Sequence, residues 1–95
     1  SRLVSREHPM SPIRERIKAY ARGYRRERDW PALIPCQAPA DPAARVTIAR
    51  RAMLGERGRG LSGHWSFSAI RLVGLRALYI AERLDALRAR RGSVA

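Results

Sequence analysis

Acidic residues are what this chain lacks most: eight oppose twenty basic ones, for a net charge of +12. Lysine is nearly missing too, since Lys18 is the one lysine and arginine supplies the rest. An Arg-rich background explains the choice of Arg over Lys. It does not explain why acids fail to balance it. An excess of this size attracts polyanions, first nucleic acid, then an anionic membrane surface or an acidic protein. Cysteine occurs once, at Cys36, which excludes an intrachain disulfide and fits a reducing cytoplasm. No apolar run approaches the roughly 20 residues of a membrane span, and the N-terminal stretch lacks the uninterrupted apolar segment of a secretory signal. His8, His64 and Cys36 share no ligand spacing, so no zinc site is expected. No carboxylate pair or activated nucleophile assembles an active site. The chain reads as a binding protein without a cofactor, not an enzyme.

What is present is helical pattern. A 45% apolar share over 95 residues suits one folded core. Residues 1–10 read as a flexible segment, with Met10 a plausible natural start, residues 11–92 as one helical domain, and 93–95 as a tail. Ser11-Pro12 gives an N-cap followed by proline at the first helical position. Ile13, Ile17, Tyr20, Ala21 and Tyr24 then form one apolar stripe. Trp30-Pro31 should end this helix near Asp29. A proline-rich connector follows, whose Trp30, Leu33 and Ile34 are expected to fold back onto the helices. Asp41-Pro42 opens a second helix with a broad apolar face (Val46, Ile48, Ala49, Ala52, Met53), and Gly55 stands as its stop. Gly55 to Gly63 then reads as a mobile basic loop. Ser66 or Ser68 caps a third helix running to about Arg91, in which Gly74 allows a close helix contact.

Along that third helix Ile70, Val73, Ala77, Ile80, Leu84 and Leu87 keep heptad spacing, the pattern of a coiled coil. A parallel pair would set Arg83 against Arg88 of its partner, which opposes it. Leu72, Leu75, Leu78 and Tyr79 give the helix a second apolar side, as in the central member of a bundle. The expected fold is therefore all-α, a small three-helix bundle with a long C-terminal helix, monomeric or weakly dimeric. Glu82 and Asp85 share one helix face and are expected to bridge to Arg88 or Arg83.

The strongest functional pattern is the polar side of the first helix. Arg14, Lys18, Arg22, Arg25 and Arg26 follow at three- and four-residue steps, a cationic ridge about 18 Å long at helical rise. Arginine forks bind phosphate oxygens bidentately, so the ridge suits a phosphate backbone. A solvated charged face is the plainer alternative, although such faces usually mix signs. Arg57 and Arg59 lie in Gly55-Glu56-Arg57-Gly58-Arg59-Gly60-Leu61, whose glycines imitate a phosphate-binding loop. Leu61 stands where that loop needs lysine and no strand precedes it, which rejects the match. A flexible Arg-Gly finger is the better reading, beside that of a plain loop. The gap before the third helix is too long for a helix-turn-helix, although Trp65, Ser68 and Arg71 could still enter a groove. The aromatics, Trp30, Trp65, Phe67 and three tyrosines, sit at helix edges like core staples, and Cys36 reads as a small inert hydrophobe.

The sequence thus points to a nucleic-acid-binding accessory or transcription-regulatory module, with DNA favoured over RNA. The alternative is an adaptor or small subunit that docks on an acidic partner through the basic face and the long apolar helix. Membrane-surface attachment stands third.

Overall fold

The computed structural model describes residues 12–94 and contains four α-helices among them, with no strand. They are α1 (Pro12–Arg22), α2 (Arg26–Leu33), α3 (Pro42–Leu61) and α4 (Ala69–Val94). The segment 1–10, the Ser11 cap and His8 lie outside the described residues. The other three helices all pack on α4, which is the central member of the bundle. The molecule measures 50 × 36 × 21 Å, so its thickness is about two helix diameters.

The expected first helix is two helices. Gly23 interrupts it, because glycine favours a helix interior least among residues other than proline. The chain leaves α1 after Arg22, and Arg25 takes an extended conformation as the N-cap of α2. Two side chains hold this elbow. Arg28 Nη2 donates to the Gly23 carbonyl at 2.7 Å, and the Arg25 backbone N–H donates to Asp29 Oδ2 at 2.9 Å. The helix also fails to stop before Pro31, which sits inside α2. Proline's φ already suits a helix, and the conformational cost to Trp30 is offset by its burial. Trp30 is essentially solvent-free, its carbonyl accepts from the Ile34 N–H, and its indole donates to the Cys36 carbonyl at 2.7 Å.

The Asp41 cap is present: its side chain accepts from the Ala44 N–H at 3.1 Å, with Pro42 at the helix start. Gly55, by contrast, does not end α3. The helix continues through the expected basic loop to Leu61 and closes in a Schellman motif. His64 N–H donates to the Arg59 carbonyl and Gly63 N–H to that of Gly60, with Gly63 at φ 71°. The stop glycine is therefore Gly63. Ser68 caps α4 through its hydroxyl, which accepts from the Arg71 N–H at 3.1 Å.

Trp30, Ile34, Ala49, Leu75 and Leu78 form the buried cluster, with Tyr24, Leu33, Ile48, Ala52, Met53 and Tyr79 packed around it. Gly74 admits the Leu33 side chain, whose methyls lie 3.2–3.3 Å from where a Cβ would stand. The side of α4 carrying Leu75 and Leu78 thus faces the core. Most of the heptad seam faces away from it, including Ile70, Ile80, Leu84 and Leu87. Of the α1 stripe only Ile17 is buried, and Ile13 and Tyr20 are more than half exposed. Nor is Trp65 a staple: it is 91% exposed and stacks on His64. Cys36, expected as a small hydrophobe, is exposed. No helix among the described residues is long and apolar enough to cross a membrane.

Candidate nucleic-acid interface

Glu56, Glu82 and Asp85 pair with arginines across the helix contacts, and that decides which arginines remain outside. Glu82 on α4 is fully buried. It accepts from the Tyr24 hydroxyl, from Arg26 Nε and Nη2 at 2.8 and 3.0 Å, and from Arg45 Nε at 2.9 Å. Arg45, itself buried, also donates to the carbonyls of Pro39 and Ala40 and to Asp85, each at 2.8 Å. Among the described residues no buried side-chain polar atom lacks a partner. Burial pushes the Glu82 carboxyl up, but the hydrogen bonds from Arg26, Tyr24 and Arg45 outweigh it and hold the group below the usual range. Burial first, and the adjacent Glu82 second, push the Tyr24 hydroxyl far above its ordinary value.

A second buried acid, Glu56 on α3, accepts from Arg59 Nη2 at 2.8 Å, the Ser68 N–H at 2.8 Å and Arg71 Nε at 3.0 Å. Arg59 beside it, then the Ser68 N–H, hold its carboxyl down. This pairing explains the helical course of the Arg-Gly stretch, since Glu56 ties the last turns of α3 to the start of α4. Gly60 is required there, because a Cβ would stand 2.7 Å from the Phe67 ring.

Three candidate cations therefore have other roles. Arg26 is not part of an outward ridge: it turns inward onto Glu82 and Asp85. Arg59 pairs with Glu56 inside a helix, so no mobile Arg-Gly finger exists. Arg71, which was placed to enter a groove, is held by Glu56 and by the Leu33 carbonyl. The acids Glu82 and Asp85 do not bridge to Arg83 or Arg88 but to Arg26 and Arg45. Arg14, Lys18 and Arg22 do follow one another on the exposed side of α1, with Lys18 3.8 Å from Glu15. Arg57 is exposed on a different helix, α3, where Arg50 and Arg51 are exposed too.

Beyond the α1–α2 elbow the chain forms a groove of about 690 Å³ against the C-terminal half of α4. Arg22, Arg25, Arg26 and Arg88 line it, against the carboxylates of Glu27 and Asp85. Arg26 and Asp85 satisfy each other in its floor. No ion pair among the described residues occupies Arg22, Arg25 or Arg88. Arg88 is the member that the spacing did not single out. Its signal is indirect: it is a helical neighbour of Leu84, on the side of α4 that turns toward α1. Such a groove can accept a phosphate or carboxylate through several guanidinium forks at once. Among the described residues no group of His, Cys, Asp and Glu is arranged to hold a metal ion. No family model, curated protein or solved structure matches the chain.

Proposed function

We propose that the chain is a nucleic-acid-binding accessory module, not an enzyme, acting in the cytoplasm on the phosphate backbone of a duplex. The observation that carries this reading is the sorting of charge: Glu56, Glu82 and Asp85 are neutralised by the chain's own arginines, while Arg22, Arg25 and Arg88 line an open groove beside the α1 cations. Single strands are recognised mainly by stacking on aromatic rings. The groove's one aromatic is Tyr24, and its hydroxyl is tied to Glu82. A regular duplex, DNA before RNA, suits it better. Arginine forks spaced along a groove suit phosphate oxygens, contacts that fix position without reading sequence, as in an accessory or regulatory factor.

Mobility-shift titrations with DNA and RNA duplexes of mixed sequence, at low and at near-physiological salt, test this. Retardation at low salt that weakens steeply at the higher salt is expected. Absence of binding at low salt would contradict the proposal and leave an acidic protein as the polyanion.

A further inference from the structure

The side of α4 that faces away from the core has an unusual make-up. Ile80 and Leu87 are 38% and 45% exposed, Leu84, at the edge that borders the groove, is 46% exposed, and Ile70, at the start of the same seam, is 84% exposed. From Ile70 to Leu87 the seam extends about 26 Å at helical rise. Arg76 and Arg83, seven residues apart, run along one flank; Arg88, which also lines the groove toward α1, borders the other, and Arg91 stands near the C-terminal end; all four are exposed. The Arg83 guanidinium lies over the Tyr79 ring at 5.5 Å, which fixes it beside the seam. The two acids of α4 are turned from the seam: Glu82 is buried, and Asp85 lies on the groove side, where Arg26 and Arg45 hold it.

An apolar seam flanked only by cations restricts what can cover it. A second copy, parallel or antiparallel, would bring arginines against arginines with no acid to separate them. A nucleic acid would satisfy the arginines and leave the leucines against a charged backbone. The complement is a helix with apolar residues at heptad spacing and glutamates or aspartates on both flanks. We infer that the outer face of α4 docks an acidic amphipathic helix of a partner protein. The apolar seam supplies contact area, and the flanking arginines set charge preference and orientation.

The test uses the full chain and two fluorescently labelled three-heptad peptides, with identical Leu and Ile at the seam and either Glu or Lys at the flanks. Anisotropy titration should show the Glu peptide binding and the Lys peptide binding at least about tenfold more weakly. An Ile80→Asp, Leu87→Asp double variant keeps every arginine and changes only exposed positions. It should keep its helical circular dichroism and lose the Glu peptide, whereas unchanged binding would reduce the interaction to general charge attraction. The double reversal Arg76→Glu, Arg83→Glu should exchange the preference, favouring the Lys peptide. Equal affinity for both peptides, or binding to neither, would overturn the inference. So would a tight, salt-insensitive dimer of the chain alone in sedimentation, because a second copy would then cover the seam.

Discussion

Glu82 is the residue on which most of the molecule's electrostatics converges. Four donors from Tyr24, Arg26 and Arg45 meet its carboxylate, so α4, α3 and the α1–α2 elbow are tied at one point. A buried ion pair is not in itself a source of stability, since desolvation offsets much of the attraction. Removing one partner is costly all the same, because the other charges stay buried. Replacing Glu82 with Gln should lower the unfolding free energy by about 3–5 kcal/mol in denaturant titration. Glu15→Gln, at an exposed pair with Lys18, should change it by less than about 1 kcal/mol. Equal effects would contradict the lock. The pH dependence has a definite sign. The Glu82 carboxyl is lowered in the fold, so its contribution is present above the unfolded carboxylate's pKa of about 4.3 and is lost as pH falls through the folded value. The Tyr24 hydroxyl is raised, so its contribution is complete below about pH 10 and declines as pH rises beyond that. Thermal melts at stepped pH should show acid destabilisation of the parent that is reduced in Glu82→Gln.

The elements themselves divide by how local their determinants are. Asp41-Pro42 marked the start of α3, and of the two serines offered for α4, Ser66 and Ser68, it is Ser68 that caps, because a cap is a contact between residues three apart. The apolar face of α3, and Trp30 and Ile34 folding back onto the helices, were legible from their apolar character, which requires burial somewhere. Pro31 and Gly55 misled, because each was outweighed by a contact from far along the chain. Trp30 is held in the core among residues of α3 and α4, and the turn after Gly55 carries Glu56, which Arg71 grips from α4. Three glycines test the course of α3. At Gly58 nothing lies within 4 Å of an added Cβ, so Gly58→Ala should stabilise by up to about 1 kcal/mol, as expected inside a helix. At Gly60 the added methyl meets the Phe67 ring, and at Gly63 the backbone is left-handed. Gly63→Ala should cost about 1–2 kcal/mol, and Gly60→Ala should also destabilise, since the ring has to shift. Calorimetric midpoints rank the three. A mobile loop over these positions would leave all of them nearly unchanged.

Across the whole molecule, the all-α bundle and its long central helix were readable from periodicity, and so was the charge excess. What spacing could not provide was the assignment of individual arginines. Arg22, Arg25 and Arg26 look alike along the sequence. One of them is held by an acid 56 residues away, and the other two line a groove completed by Arg88. Likewise, both apolar sides of α4 were visible, but which one faces inward depends on where α2 and α3 pack. The salt dependence of duplex binding tests the resulting account most directly. If four or five cations of α1 and the groove touch phosphates, log affinity should fall with log salt at a slope of about −4. The triple variant Arg22→Ala, Arg25→Ala, Arg88→Ala touches neither buried lock. It should keep the fold, bind more weakly and flatten that slope by about two to three. A variant that binds with the parent's affinity and slope would contradict the assignment of this groove to nucleic acid.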